Sequence, residues 1–396
     1  MIKGENILLL SSDLWRSEGR RSKEHITIRL IKENKVLYVE SIGIRHRSMA
    51  KGEVSIKLIK ERLGRFFKGL NKLDKNLGVL PPLILPFHKS QLIGRINKSL
   101  LNFCITRAMK KMDFDSLPIV IACMPTWANF CSKVRRKILI YYLLDKFSRF
   151  YGAPREEIDE MDEKLIREAD IVIAISQPLY EEAKKIKPDR TYFVPHGVDF
   201  NIFQTEDPDI LFKEIPNLKH PVIGYFGLIE NKAMFDSELV EYMAKKKPEW
   251  SFVLIGKVDF DNSYLKSFPN IHFLGIKPYE KLSEYACQFD VCTIPFRQNE
   301  LIYYSRPLKV MEYLAMGKPI VSTWDPLNEK ELKNLIYVRK DPDSFIEGIS
   351  KALSEDNPEL KKVRKDFARK NTWDNAYNKI CDIINENLKT NKAAVV

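Results

Sequence analysis

The strongest chemical signal in the chain is a lysine and a glutamate three residues apart in the segment PLKVMEYLAMGKPIV, residues 307–321. Proline suits a first helical turn, so the segment predicts a helix that begins near Pro307. The free amides and positive dipole end of such a helix attract anions. Lys309 adds a charge there, Ser305 a hydroxyl, and Glu312 lies one turn deeper on the same face. We predict a diphosphate site at this helix start; a solvated lysine and a helix-face carboxylate are the alternative.

Two further positions could carry chemistry. Asp145 ends the apolar run KILIYYLL. If that run is a parallel strand, the carboxylate faces the ligand crevice, where a pKa raised by burial would suit a base that takes a proton from a hydroxyl. A helix cap or a salt bridge with a nearby arginine is equally open for Asp145. Gly227 either lets the backbone pass close to a ligand or makes a simple tight turn.

The elements that must position these residues are short, continuously apolar runs, which are typical of parallel strands buried on both faces. The first half has such runs at residues 6–10, 35–40, 119–124, 137–144, 171–175 and 191–194. The pattern restarts after residue 215, with strands predicted at 222–224, 251–255, 272–273, 291–294, 319–321 and 336–338. Helices alternate with them at 21–33, 156–168, 236–246, 279–287, 307–316, 343–353 and 358–369. This order predicts an α/β protein of two Rossmann-like domains, residues 1–205 and 206–374.

Charge separates the two halves of this 396-residue chain. Residues 1–200 carry a net charge of +13 and residues 201–396 carry −1; within the first half, residues 51–112 alone carry +11. Apolar residues between Ile56 and Leu73 recur at helical spacing, with basic residues on the rest of the surface. We predict a basic face that meets lipid headgroups or an anionic acceptor, although a merely solvated helix face is the alternative. The residues assigned to it are Lys57, Lys60, Arg65 and Lys68.

Composition excludes several classes of protein. Six cysteines with no Cys-x-x-Cys pair exclude a disulfide scaffold, argue against a zinc ribbon and indicate a reducing, cytoplasmic setting. We read no secretion signal at the start of the chain and no apolar run near the ~18 residues that span a bilayer. The bare pattern Asp-x-Asp occurs at Asp113 and Asp115 and again at Asp259 and Asp261, without supporting context. We therefore predict no metal site and no cofactor.

Four segments in order resemble one family: EKLIREADIVIAIS, VPHGVDFNIF, then GYFGL with FVLIG and FLGIK, and finally PLKVMEYLAMGKPIV. Together they are similar to GT-B glycosyltransferases of the broad group around family 4, nearest to the bacterial teichuronic-acid type enzymes and distantly to the xanthan glucuronosyltransferase. The resemblance implies two Rossmann-like domains with a crevice between them. It also implies a C-terminal helix, residues 375–390, that crosses back to the N-terminal domain.

The resemblance also implies roles for single residues. The matching lysine, Lys309, holds the diphosphate of the donor, and the matching glutamate, Glu312, binds the ribose hydroxyls. The backbone at Ile276 and Lys277 lies against the nucleobase of the donor, with an ordinary loop as the alternative. An aspartate near Asp145 is the general base that takes the proton of the acceptor.

The chain departs from the common family 4 pattern at three positions. Tyr304, which we count among the donor-binding residues, replaces a second glutamate, while Leu228 and Ala233 replace an arginine and a lysine. The stereochemical course is therefore open.

The expected protein is a cytoplasmic glycosyltransferase, peripherally bound to the inner face of the plasma membrane. It would move a sugar from a nucleotide diphosphate donor, UDP-linked, to a hydroxyl of a glycan or polyprenyl-linked glycan in cell-surface polysaccharide synthesis. The alternatives are a nucleotide-sugar epimerase and a catalytically inactive scaffold of the same fold. A nucleic-acid-binding protein is a further alternative, but the basic segment lacks interleaved aromatic residues and recognition helices, so we expect no nucleic-acid partner.

Overall fold

The computed structural model describes residues 2–15, 20–40, 64, 69–82, 91–204, 206–207, 209–230 and 234–393. The predicted basic-face residues lie outside these ranges. The chain divides into two compact units. The first consists of Met1–Val194 together with Tyr377–Val396, and the second of Pro195–Ala376. Each unit is built on its own sheet.

The sheet of the first unit has eight strands within the described residues, in the order β3-β4-β2-β1-β5-β6-β7-β8. Every pairing is parallel except that of the edge strand β3 with β4. The strands are β1 Asn6–Leu10, β2 Lys35–Val39, β3 Asn71–Asp74, β4 Leu77–Leu80, β5 Ile119–Ala122, β6 Ile138–Leu143, β7 Ile171–Ala174 and β8 Thr191–Phe193. The α-helices between them are Ser22–Leu30, Gln91–Lys111, Ala128–Cys131, Arg155–Glu168 and Gln177–Ile186.

Burial explains why this sheet could be read from the sequence. The central strands β1, β5 and β6 are buried along their whole length. A strand covered on both faces needs apolar residues at every position, because either face would otherwise bury a polar group without a partner. The predicted α/β class with parallel sheets is therefore confirmed.

Two strands of the first unit were missed. β3 is exposed at all four positions and so shows no apolar run, whereas β4 is a buried apolar stretch of only four residues that is followed directly by two prolines. The predicted amphipathic helix also extends too far, because Leu73 lies on β3 and is 48% exposed. A short turn at residues 75–76 joins the two strands into an antiparallel hairpin, and this local pairing overrides the helical spacing of the leucines.

The second unit contains a six-stranded parallel sheet, again counted over the described residues, in the order β11-β10-β9-β12-β13-β14. Its strands are β9 Val222–Phe226, β10 Ser251–Ile255, β11 Ile271–Gly275, β12 Val291–Ile294, β13 Ile320–Ser322 and β14 Ile336–Val338. The α-helices are Ile210–Glu214, Ser237–Lys246, Ser263–Lys266, Leu282–Ala286, Glu300–Tyr304, Leu308–Ala315, Lys330–Lys333, Pro342–Glu355 and Pro358–Lys370. All six strands predicted for this half are present.

The last helix, Trp373–Ala393, begins in the second unit and belongs to the first from Tyr377 onward. Its first-unit portion is held by polar contacts to β8 and the turn before it. The Lys379 ammonium donates to the Phe193 carbonyl at 3.0 Å, and the Arg190 guanidinium donates to the Asn387 amide oxygen. The helix thus returns to the unit in which the chain began.

The first boundary between the units falls earlier than the sequence suggested, at Val194 and Pro195 rather than near residue 205. β8 is the last strand of the first sheet. Shortly after it, Val198 donates from its amide to the Asn371 carbonyl and accepts from the Trp373 amide, both at 3.1 Å. The segment that follows β8 is therefore fastened to the second unit.

The described helices offer no candidate for a membrane span, because none combines sufficient length with sufficient apolar character.

Candidate functional site: a lysine on two aromatic rings

The strand order of the second sheet predicts where a ligand would bind. β9 has β10 on one side and β12 on the other, so the chain reverses its direction of winding between β9 and β12. In doubly wound sheets, ligands bind beyond the carboxyl ends of the strands at this topological switch point. Tyr225 lies on β9, next to its carboxyl end, and Phe296 follows β12 by two residues. Both side chains are buried.

The side chain of Lys309 reaches this point from the first turn of the Leu308–Ala315 helix. Its ammonium lies 5.0 Å from the centre of the Tyr225 ring and 4.7 Å from that of the Phe296 ring, within the range of cation–π attraction. Among the residues that the structure describes, none accepts a hydrogen bond from this ammonium. Burial lowers the pKa of Lys309 to about 8, although the Glu312 carboxylate opposes the shift.

The N-terminus of the helix that carries Lys309 has the features of an anion-binding site. Pro307 occupies the N-cap position with extended backbone (φ −65°, ψ 126°) and has no side-chain acceptor for the first amides. The first turn contains no acidic residue. The helix dipole and the Lys309 charge therefore act in the same direction and favour a negative ligand.

Arg306 fixes the start of this helix. Its guanidinium makes a paired contact with the Glu329 carboxylate, at 3.1 Å from Nε and 2.9 Å from Nη2. It also donates to the His196 carbonyl at 3.1 Å, while the His196 ring donates from Nδ1 to the Arg306 carbonyl at 3.1 Å. The motif VPHGVDFNIF is thereby joined to the helix start by reciprocal hydrogen bonds.

Glu312 lies one turn beyond Lys309 and is only 6% exposed. Burial raises its pKa to about 7; Lys309 and the Tyr279 side chain oppose the shift, and Asp199 adds to it. Asp199 belongs to the segment that Arg306 fastens. A carboxyl group with this pKa changes between donor and acceptor of hydrogen bonds near neutral pH, which suits it to hydroxyl ligands.

Glycines open the edge of the sheet beside Lys309. Gly227 follows β9 with φ +139°, and a Cβ atom there would stand 2.9 Å from Lys309 Cε and 3.1 Å from its Nζ. Gly256 follows β10 with φ +144°, and its Cβ would stand 1.8 Å from the Gly227 carbonyl oxygen. Only glycine fits at either position. Gly227 therefore lets the backbone pass close to the Lys309 side chain.

The other predicted donor-binding residues lie in the same unit but are less clearly directed at this point. Ile276 follows β11 and is 63% exposed. The Lys277 ammonium is held by the Glu214 carboxylate at 2.6 Å and lies 4.8 Å from the centre of the Tyr285 ring. The Ser305 hydroxyl donates to the Ile302 carbonyl at 2.9 Å, at the end of the Glu300–Tyr304 helix. Tyr304, the last residue of that helix, packs edge to face on Tyr303.

In the first unit, Asp145 follows β6 by two residues, so it lies at the carboxyl edge of that sheet as predicted. It is partly buried. The neighbouring Lys146 ammonium lies 2.8 Å from Glu182 and 3.4 Å from Asp159. Although burial opposes it, these carboxylates and that of Asp162 raise the pKa of Lys146, which keeps this cation charged.

Several residues that build the site escaped the sequence analysis. Tyr225 stands inside the quoted motif GYFGL but was assigned no role, and Arg306 stands next to the helix start. Phe296 becomes visible only once β12 is known to lie beside β9, because 71 residues separate it from Tyr225. Glu329 shows no signal at all in the sequence.

The two Asp-x-Asp matches have ordinary structural roles. Asp115 accepts from the Asn6 amide at 2.9 Å, and Asp261 accepts from the Ser263 backbone amide at 3.0 Å. Within the described ranges, no group of three or more His, Cys, Asp or Glu side chains has the arrangement to hold a metal ion.

The two units and the site in the second of them identify the fold class of the protein. Two Rossmann-like units of parallel strands, the second with a basic helix start at its switch point, form the GT-B fold of glycosyltransferases. Residues 220–355, which lie in the second unit, match the family described as glycosyl transferases group 1.

The chain is similar to TuaH, a Bacillus subtilis (strain 168) protein assigned as a teichuronic acid biosynthesis glycosyltransferase. The two are 29% identical over 241 residues, which are 57% of this chain and 59% of TuaH. The chain thus spans less than two thirds of that relative's length.

Two solved structures share the fold. Anabaena HepE in complex with UDP has a TM-score of 0.66 at 13% identity, over 97% of this chain and all of that one. The α,α-trehalose 6-phosphate synthase of Burkholderia multivorans has a TM-score of 0.65 at 11% identity, over the whole of both chains.

Replacing Arg306 with methionine tests whether its ion pair with Glu329 stabilises the helix start. Glu329 would lose its paired cation in a largely buried place, and removing one partner of such a pair costs about 3–5 kcal/mol. We expect the Arg306→Met variant to unfold at lower denaturant concentration, and the double variant Arg306→Met, Glu329→Leu to recover much of that loss. Equal stability of the single variant and the unaltered protein would show that the ion pair does not hold the site.

Proposed function

We propose that this protein is a glycosyltransferase that moves a sugar from a nucleotide diphosphate sugar, UDP-linked, to a hydroxyl of a glycan or lipid-linked glycan in cell-surface polysaccharide synthesis. The observation that carries the proposal is the half-buried Lys309 ammonium, which meets two aromatic rings and no described acceptor at the start of a helix. Among the described residues this ammonium makes no direct ion pair, since the Glu312 carboxylate acts on it only through space, and a diphosphate supplies a direct partner. The resemblance to TuaH supports the polysaccharide context, and UDP in HepE supports the nucleotide.

In this proposal the second unit binds the donor. Lys309 and the amides of its helix hold the diphosphate, and they stabilise the negative charge that develops on the leaving nucleotide. Glu312 accepts hydrogen bonds from the ribose hydroxyls. Gly227 and Gly256 leave the room in which the phosphates and the nucleoside approach the backbone. The charge of the diphosphate is met by the protein alone, so we propose that transfer needs no metal ion and no further cofactor.

The first unit binds the acceptor in this proposal. Asp145 takes the proton from the attacking hydroxyl as the bond to the sugar forms. Its place beyond a central parallel strand supports the assignment, because ligands of such sheets bind at that edge. The acceptor is a hydroxyl of a growing glycan, and the protein has no nucleic-acid partner.

Donor binding can be tested without knowing the acceptor. A thermal-shift screen against UDP-, GDP-, ADP-, CMP- and dTDP-sugars should show stabilisation by the donor alone, since a ligand that binds only the native state raises its stability by mass action. A protein that none of these compounds stabilises would contradict the proposed function. Conversion of the sugar without any acceptor would instead indicate an epimerase.

Replacing Lys309 tests its role at the diphosphate. Lys309→Ala should weaken UDP binding by about 2 kcal/mol, the value of a charge-assisted hydrogen bond. Because burial lowers the pKa of Lys309 to about 8, UDP affinity of the unaltered protein should also fall as the pH rises above about 8. Calorimetry in EDTA measures both, with Lys351→Ala, an exposed lysine of the same unit, as the control. Unchanged UDP affinity in Lys309→Ala would refute the assignment.

Asp145→Asn tests the base. The variant should keep its affinity for UDP and lose transfer by roughly 10²–10⁴-fold, because an amide cannot accept the proton. If Asp145 only caps the next turn, the variant should instead lose about 1 kcal/mol of stability and turn over nearly normally. Melting temperature and incorporation of labelled sugar into polyprenyl-linked glycan, measured on one sample, separate the two. Asp189→Asn, an exposed aspartate of the same unit, is the control.

We also propose that the protein works at the cytoplasmic face of the plasma membrane, bound peripherally to anionic lipid. Residues 51–112 carry a net charge of +11. Within that range the Gln91–Lys111 helix buries Ile105 and Ala108, while Phe103 is 61% exposed and is followed at helical spacing by the exposed Arg107 and Lys111. A basic helix face with an exposed aromatic residue suits the headgroup region of an anionic bilayer.

Vesicle co-sedimentation tests this attachment. The protein should bind phosphatidylglycerol vesicles at low salt, dissociate at high salt and ignore neutral vesicles, since each basic residue near an anionic surface contributes about 1 kcal/mol that salt screens. Protein that stays in the supernatant with anionic vesicles at low salt would overturn the proposal. Binding should be abolished by reversing to glutamate the four residues of the predicted basic face, Lys57, Lys60, Arg65 and Lys68. The matched control reverses four exposed lysines of the second unit, Lys246, Lys333, Lys351 and Lys362.

A further inference from the structure

Packing and hydrogen bonds surround the two aromatic rings under Lys309. The backbone that carries Phe296 is fixed, because its amide donates to the Thr323 hydroxyl at 2.8 Å and that hydroxyl donates to the Phe296 carbonyl at 2.5 Å. At the far end of the other ring, the Tyr225 hydroxyl donates to the Leu228 carbonyl at 2.8 Å. Tyr225 is 0% exposed and Phe296 is 1% exposed, so the surrounding core restrains both rings.

Both rings border the switch point, since Tyr225 lies on β9 and Phe296 lies two residues beyond the end of β12. The third side is the backbone of Gly227, where even a methyl group would press on the lysine side chain. Two π faces and a bare backbone therefore confine the ammonium of Lys309. Neither π faces nor a glycine neutralise its charge.

We propose that Tyr225 and Phe296 are positioning residues that hold the Lys309 ammonium ready for the diphosphate of the nucleotide donor. This inference rests on the proposed function and adds to it the means by which the cation is placed. A free lysine has four rotatable bonds, and ordering it costs conformational entropy each time a ligand binds. A lysine that is already ordered on two rings lost this conformational entropy when the protein folded. The diphosphate therefore binds a preorganised charge.

A ring that merely fills space would behave differently from one that attracts a cation. Fluorine atoms draw electrons from the ring face and leave its shape nearly unchanged, so a series of fluorinated phenylalanines weakens the cation–π attraction while the packing stays. Packing alone predicts no trend along such a series. Position 296 is suitable because Phe296 makes its hydrogen bonds through the backbone.

The experiment replaces Phe296 with mono-, di- and trifluorophenylalanine in the full-length protein and measures the Kd of UDP and of uridine by calorimetry. We expect UDP to bind progressively more weakly, by about 3- to 10-fold for the trifluoro ring, as for a cation–π contact away from bulk water. Uridine, which has no phosphate, should bind equally to every member of the series. The melting temperature should stay constant.

A second pair of variants, at Tyr225, separates a loss of the cation–π contact from a general loss of folding. Tyr225→Phe keeps the ring and should retain UDP affinity within about twofold, whereas Tyr225→Leu should weaken UDP but not uridine. Equal UDP affinity across the fluorinated series, or equal losses for UDP and uridine, would overturn the positioning role. An unaltered protein that binds neither UDP nor any other nucleoside diphosphate would instead refute the proposed function, so the two failures are distinct.

Discussion

The second unit depends on one electrostatic constraint: a lysine ammonium is withdrawn from water onto two aromatic rings without a described hydrogen-bond acceptor. Such burial is unfavourable for a cation, and the pKa of Lys309, about 8, records that cost. The rings recover part of it, and the Glu312 carboxylate recovers another part. The remainder is available to an anionic ligand, which stabilises the charged lysine when it binds.

The surrounding elements follow from the need to keep this cation in place. The sheet supplies the rings at its switch point, and the glycines after β9 and β10 let the backbone pass close by. Arg306 fixes the start of the helix that carries Lys309, through Glu329 and His196. The buried Arg306 charge is paired with the Glu329 carboxylate, whereas Lys309 has no direct partner among the described residues. Arg306 therefore stabilises the helix start, and Lys309 is left to bind an anion.

The sequence predicted the parts of this arrangement that depend on local pattern. Continuous apolar runs indicated the strands, and Pro307 with Lys309 and Glu312 indicated the helix start. The same reasoning failed where the pattern is weak or the contact is distant. Strand β3 is exposed throughout, and Leu73 on it was assigned to a helix because its spacing happened to fit.

The pair of aromatic rings that contact Lys309 could not be predicted, for a related reason. Tyr225 and Phe296 are far apart in the chain, and their meeting depends on β12 lying next to β9 rather than next to β11. A resemblance of motifs located Lys309 but gave no reason for its charge to be held there. That reason lies in the order of the strands, which no single motif contains.

Two lysines of the first unit, Lys23 and Lys146, have surroundings unlike those of Lys309. In the first unit, Lys23 is buried against Asp13, and Lys146 meets three carboxylates, from Asp159, Asp162 and Glu182. Those lysines already have their counter-charges, and the carboxylates keep the pKa of Lys146 raised. The second half carries a net charge of −1, yet its Lys309 lies against two rings and a glycine, and the Glu312 carboxylate acts on it only through space. If the proposed diphosphate site is right, affinity for the ligand depends on whether a cation already has a direct ion-pair partner, and the net charge of a domain is a poor guide to it.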